Sequence, residues 1–559
     1  MKYLKQILQL LSVLTFCSSC AVIGINAKRK TPDKPGKYPE FSVEDTLRGK
    51  NTRFRNAYDV TFYALNIAVD IEHKYITGSV DIYFTANSVF DTIQIDLYEN
   101  LKINKILYQE HELQYYRKYK AVFILFNEAL QQEEKYKITV YYEGKPIVAA
   151  RPPWEGGFVW KKDKDKNPWI GVTCEVDGAS LWWPVKDHLS DEPDSLTIRV
   201  TVPGGLFCVS NGRLTEHEKT DSKESYTWKT NYPINSYNVT VYIGNFRHFQ
   251  LPYPKEDSVF ALDFYALPYN LEKARTHFKQ AIDIIKCFES IFGEYPWWQE
   301  GYKLVESPYA GMEHQTAIAY GSKYKNTLGS DFDYIILHET AHEWWGNSIS
   351  VGDYAEIWLH EGFATYSEAL YVEYTKGYEA YLRYLAFYSI LIKNKRPMIG
   401  PYDVNYWDYK DVDVYMKGAL TLHTLRNIIN NDTIFFDIIK SFYNQYKYSI
   451  VSTKDFIDLV NEKTKDDINW FFNQYLYSRV CPQLEWKYLY NASLAQYEFR
   501  YKWNNVDSDL LVPVRIKSGE AEYVLYPGRK IQTLKLDTSN AIYINTDNSY
   551  ISLKKNRKL

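Results

Sequence analysis

The chain has 559 residues, of which 45% are hydrophobic and 24% charged, and a formal net charge of −3. That balance belongs to a globular protein with enough material for three or so domains, each with a buried core. Acids and bases are interspersed, and without a basic stripe nothing points to nucleic acid as a partner.

Residues 1–20 read as an export signal. Two lysines lie in residues 1–5, residues 7–16 are short and mostly apolar, and Cys17-Ser18-Ser19-Cys20 follows. Ser18 and Ser19 before Cys20 resemble a bacterial lipobox, although Cys17 stands where leucine is usual. The expectation is an exported lipoprotein, anchored to a membrane through Cys20 and facing the periplasm or cell surface. Residues 21–44, rich in Lys, Pro and Gly, read as a flexible tether.

From 45 to 250, alternating runs such as 79–84 and 136–142 recur between turn residues and predict an antiparallel β domain. From 251 to 481 the pattern turns helical. Residues 271–292 predict one long amphipathic helix stopped by Gly293 and Pro296. Asp331 is the expected cap of the next helix, which carries an apolar stripe of Tyr334, Ile335, Leu337 and Ala341. Thr453 is the expected cap of a later one. From 482 to 559 strands return, at 484–490 and 497–503, and predict a small β-sandwich. Apart from Cys17 and Cys20, the cysteines are Cys174, Cys208, Cys287 and Cys481. They have no C-x-x-C spacing and read as buried free thiols, with pairing left open for an exported protein.

The densest chemistry lies in His338-Glu339-Thr340-Ala341-His342. Four residues is a little over one helical turn, so both imidazoles project from one face and can grip one Zn²⁺. Glu339, beside the first ligand, is placed to act as a general base. Glu361 follows with eighteen residues between it and His342, at the expected start of a second helix, and can supply a third ligand. Three protein ligands leave the fourth zinc position open, which is the catalytic rather than the structural arrangement.

These residues resemble the M1 family of gluzincin zinc aminopeptidases, relatives of aminopeptidase N and leukotriene A4 hydrolase. The likeness extends through His342-Glu343-Trp344-Trp345-Gly346-Asn347 and through Trp358-Leu359-His360-Glu361-Gly362-Phe363-Ala364. A second motif, G-x-M-E-N in the family, stands here as Ala310-Gly311-Met312-Glu313-His314, and a third, Y-x-K-G-A, as Tyr415-Met416-Lys417-Gly418-Ala419. The resemblance implies a multidomain α+β fold: an N-terminal antiparallel β domain, a thermolysin-like α/β zinc-peptidase domain and a small C-terminal β-sandwich. It implies one zinc ion per chain on His338, His342 and Glu361, with Glu339 as base and Tyr415 as oxyanion donor. Glu313 would hold the free α-amine of a peptide, with Gly311 and Met312 offering backbone hydrogen bonds from an edge strand.

A second amine anchor is expected from Val172-Thr173-Cys174-Glu175. It keeps the glutamate but has Thr173 where glutamine is common. Asparagine is usual at His314, and glycine at Ala310. Larger family members carry a further helical domain over the site, and a more open site is expected here. The activity implied is removal of N-terminal residues from peptides. The alternatives are a zinc endopeptidase or epoxide hydrolase on the same fold, and a non-catalytic surface binding protein.

Overall fold

The strands Tyr58–Asp70 and Tyr75–Ala86 bury alternate side chains and pair antiparallel along their length, with a bulge between Val60 and Phe62. In the computed structural model, which describes residues 35–255, 258–327, 329–536 and 540–559, they form the middle of an eight-stranded sheet. Its order is Arg213–Lys219, Lys223–Thr230, Ser195–Pro203, Tyr58–Asp70, Tyr75–Ala86, Lys135–Gly144, Leu101–Tyr108 and His111–Glu112. One pair departs from the expected antiparallel pattern: Tyr58–Asp70 and Ser195–Pro203 run parallel. The long excursion between them supplies the crossover that a parallel pair requires. That excursion contributes Pro168–Thr173 and Gly157–Lys162 to a second sheet, whose order is Phe207–Val209, Tyr242–Gly244, Pro168–Thr173 and Gly157–Lys162. Glu175 lies just beyond the end of Pro168–Thr173.

The next sheet has five strands, ordered Arg247–Lys255, Ser258–Ala266, Tyr302–Glu306, Ile318–Tyr320 and Gly311–Met312. Its first strand runs across residue 251, where composition changes, because hydrogen bonding to Ser258–Ala266 and not composition decides which sheet owns it. Gly311–Met312 is the outer edge, antiparallel to Ile318–Tyr320. The single helix expected over 271–292 is two, Leu271–His277 and Gln280–Ile291. The break falls at Phe278, which is fully buried and packs its ring on Phe264 and Tyr320. The remaining helices include Tyr334–Ala341, Trp358–Lys376, Tyr378–Leu391, Asp413–Ile429, Asp432–Tyr446 and Thr453–Thr464. The cap of the last is Ser452, in a capping box with Asp455, and Thr453 is the first helical residue.

After residue 481 a four-stranded and a three-stranded sheet form the C-terminal sandwich. Phe499, Tyr501 and Trp503 of Gln496–Asn504 alternate inward. The export signal, Cys20 and most of the expected tether lie outside the described residues. Where description begins, the chain is packed. Gly36 N–H donates to Lys395 O (2.8 Å), Arg396 Nη2 donates to Lys37 O (2.6 Å), and Ser42 caps the helix Val43–Gly49. No helix among the described residues is long and apolar enough to cross a membrane. Cys174, Cys208 and Cys287 are buried free thiols, and Cys481 is buried as well.

Candidate metal and peptide site

The helix Tyr334–Ala341 is capped by Asp333, whose Oδ1 accepts from Ile335 N–H (3.0 Å). Asp331, the expected cap, is exposed and pairs with Lys376. Asp333 wins because its other oxygen is tied into the core by His277 Nε2 and Tyr320 OH, both at 2.8 Å. His342 stays in helical geometry just past the last turn, so the four-residue spacing brings His338 and His342 together. Glu361 joins them from the first turn of Trp358–Lys376.

The three side chains are buried, and their ligand atoms form a nearly equilateral triangle. The two Nε2 atoms are 3.2 Å apart, and Glu361 Oε2 lies 3.5 and 3.6 Å from them. Both Nδ1 atoms are committed, that of His338 to Glu368 Oε1 (2.8 Å) and that of His342 to Trp345 O (2.9 Å). This places the protons on Nδ1 and turns two Nε2 lone pairs toward each other, which only a cation between them makes favourable. Glu361 Oε2 is buried without a hydrogen-bond partner. A tetrahedral zinc with bonds of about 2.0–2.1 Å holds its ligands about 3.3–3.4 Å apart, so the residues present fit the ion.

The electrostatics make the same demand. Glu175, Glu313 and Glu339 are buried beside Glu361. Desolvation and the neighbouring acids push the Glu175 carboxyl well up, and Glu313 is raised by burial. Glu339 is pushed up to about 8, chiefly by burial. Glu361 is the exception: against the cost of burial, the two imidazoles hold it down at about 2. Four carboxyl groups around two histidines leave room for a dication and an ammonium group.

Each expected residue has a traceable position. A Cβ on Gly311 would collide with Glu339 Oε1, so the bare edge strand lets the Glu339 carboxyl lie against the backbone. Met312 is buried, with Thr173 Oγ1 3.7 Å from its sulfur. Glu313 receives Tyr237 OH at its Oε1 (3.3 Å), while Asn347 Nδ2 donates to its backbone carbonyl (2.8 Å). Glu175 comes from the other domain to within hydrogen-bonding reach of Glu313. Tyr354 OH donates to the Glu175 carbonyl, and the Glu175 Oε1 atom has no partner. Tyr415 stands over His338, ring centroids 6.2 Å apart, and packs on Trp407.

The third motif explains its own glycine. A Cβ on Gly418 would meet Gly362 Cα at 2.7 Å, and one on Gly362 would meet Gly418 Cα at 3.0 Å. The helices Asp413–Ile429 and Trp358–Lys376 therefore cross backbone to backbone, and that crossing carries Tyr415 to Glu361. His314, the departure from the family pattern, is fully buried, its Nδ1 2.6 Å from Tyr242 OH, and burial lowers its pKa to about 3. It supports the strand and does not join the triad.

Sequence reasoning missed Glu368 and Tyr237. Glu368 follows Glu361 by seven residues, two helical turns along the same face, and that spacing was a readable signal. Besides His338 it accepts from Tyr384 OH (2.8 Å) and Tyr388 OH (2.5 Å). Tyr237 stands in a short turn among 52 tyrosines, with no local pattern to mark it.

Comparison with known proteins agrees with this geometry. The family model described as Peptidase family M1 domain matches residues 277–475, and that of the Peptidase M1 N-terminal domain matches 56–238. Together they span more than half of the chain. A Leucine aminopeptidase 2-2 of Meyerozyma guilliermondii is 22% identical over 488 residues, covering 80% of this chain and 74% of that protein. Leukotriene A-4 hydrolase of Xenopus laevis is 22% identical over 368 residues, covering 62% and 58%. Among solved structures, an M1 zinc metallopeptidase from Deinococcus radiodurans, bound to a Tyr-Ser-Ala substrate, superposes with a TM-score of 0.64. It is 21% identical and covers 76% of this chain and 95% of that one. The chain belongs to the peptidase M1 family.

Proposed function

We propose that the protein is a zinc aminopeptidase that removes N-terminal residues from peptides, with one Zn²⁺ per chain held by His338, His342 and Glu361. The observation that carries the exopeptidase reading is the meeting of Glu175 and Glu313, two buried carboxyl groups from different domains, beside the triad. One faces solvent-excluded space with an unpartnered oxygen. A free α-ammonium satisfies both by charge-assisted hydrogen bonds, and a blocked amine cannot. Gly311 and Met312, at the open edge of the sheet, offer backbone groups to an extended peptide.

Bound zinc supplies Lewis acidity, polarising the scissile carbonyl and making water more acidic. Glu339 takes the proton of the attacking water and returns it to the leaving amine. Burial raises its pKa, and a dication bound beside it would draw it back down and favour the carboxylate that acts as base. The Tyr415 hydroxyl, whose pKa burial and the neighbouring acids raise, stays protonated and donates to the developing oxyanion. We also propose, from residues 1–20, that the protein is exported and anchored through lipidated Cys20. Metabolic labelling with a fatty acid, lost in Cys20→Ser, tests that.

For the activity itself, the test is hydrolysis of a panel of aminoacyl-p-nitroanilides against their N-acetylated forms, with zinc content confirmed. Cleavage of the free amines alone is expected. Equal cleavage of both forms would replace this reading with an endopeptidase.

A further inference from the structure

With one carboxyl oxygen unpartnered, Glu175 is aimed by the backbone that carries it. That backbone is a turn, closed by Gly178 N–H donating to Cys174 O (2.6 Å). Its middle carbonyls are each held from elsewhere in the chain. Tyr354 OH donates to Glu175 O, and Tyr98 OH donates to Asp177 O (3.1 Å). Val176 O receives two donors, Arg48 Nη2 (2.7 Å) and Asn405 Nδ2 (3.2 Å).

Arg48 comes from outside the matched N-terminal domain, which begins at residue 56. It lies in the last turn of the helix Val43–Gly49, which starts in a capping box of Ser42 with Asp45. The Arg48 and Lys50 carbonyls both accept from Arg55 Nη1 (2.7 and 2.9 Å), and Arg55 is itself buried on Asp96 (2.6 Å). A Cβ on Gly49 would collide with Asn405 N, so the two segments that supply the Val176 donors touch backbone to backbone. A Cβ on Gly178 (φ +84°) would lie 2.8 Å from Arg48 Nη2, so the guanidinium reaches the turn because that position is bare. The carboxylates of Asp187 and Asp177 stand nearby and compensate its charge. Farther back, Phe41 packs on Tyr406 (5.4 Å), and the Gly36 and Lys37 backbone bonds residues 395 and 396. Residues 36–55 thus run as a strap from the helical lobe to the turn that bears Glu175.

On the aminopeptidase reading, on which this inference rests, we propose that Arg48 is a positioning residue for amine recognition. Through it the strap holds the Val176 carbonyl and so fixes Glu175 opposite Glu313. The test compares leucine-p-nitroanilide hydrolysis by wild type, Arg48→Met and Arg48→Lys, with zinc content measured. Arg48→Met raises KM about tenfold, leaves kcat within about twofold and keeps the metal. Arg48→Lys, which retains the charge and a donor, restores most of the affinity. An unchanged KM, a fall in kcat alone, or no rescue by lysine overturns the proposal.

A second arm reads the turn without substrate, by amide hydrogen exchange of the zinc-loaded proteins. Arg48→Met speeds exchange over 174–181 about fivefold or more and leaves 334–342 as in wild type. That result supports the hold of Arg48 on the turn even where wild type cleaves no free-amine substrate and the aminopeptidase reading alone fails. Equal rates over 174–181, or a rise spread along the whole chain, overturn it. Where Arg48→Met does not fold, Arg48→Gln takes its place in both arms under the same criteria.

Discussion

The two halves of the site are built by different means. The metal triad comes from two consecutive helices, and each histidine is locked at its second nitrogen by a short hydrogen bond. The proposed amine-binding pair comes from two domains: Glu313 just past a two-residue edge strand, with one bond of 3.3 Å at its carboxyl, and Glu175 on a loop, with an oxygen left unpaired. The first half is local, rigid and complete without substrate. The second is tertiary and finishes only when an ammonium group arrives. Metal chemistry can therefore survive changes that abolish recognition, and the converse does not hold.

Four variants would break or sharpen that contrast. The largest effect is expected for Glu339→Gln, which keeps the zinc ligands and removes the base. Turnover should fall about 10³–10⁴-fold with zinc content unchanged by atomic absorption, and retained turnover would remove Glu339 from the mechanism. Tyr415→Phe should lower kcat about 10²–10³-fold with KM little altered, as for a group that acts on the transition state. A rise in KM alone would instead make Tyr415 a binding residue. Glu368→Ala, which frees His338 Nδ1, should weaken zinc affinity about 10–100-fold in competition with a chelator. Its kcat at saturating zinc should stay near wild type. Gly418→Ala forces apart two helices that touch at Gly362, so it should cost about 1–3 kcal/mol in denaturant unfolding. Unchanged stability would mean that the crossing is slack.

The same contrast decides what could be read in the sequence. His338, His342 and Glu361 were legible because helical periodicity turns spacing into geometry. The β domain, the zinc helices and the C-terminal strands were legible from alternation and punctuation. The parallel pairing of Tyr58–Asp70 with Ser195–Pro203 was not, because strand partners more than a hundred residues apart leave no local trace. Asp331 and Asp333 are equally good caps by composition, and only the tertiary partners His277 and Tyr320 choose between them. Glu175 could be named only through resemblance, and the hold of Arg48 on Val176 not at all, since a contact between distant segments obeys no spacing rule.

The measurement that most directly tests the separation of the two halves is made on the double variant Glu175→Gln, Glu313→Gln. Zinc stoichiometry and kcat/KM for leucine-p-nitroanilide and its N-acetyl form would be determined side by side. The account predicts one zinc per chain, as in wild type, and a free-amine preference that vanishes. Loss of the metal, or a preference that persists with both carboxylates gone, would contradict it.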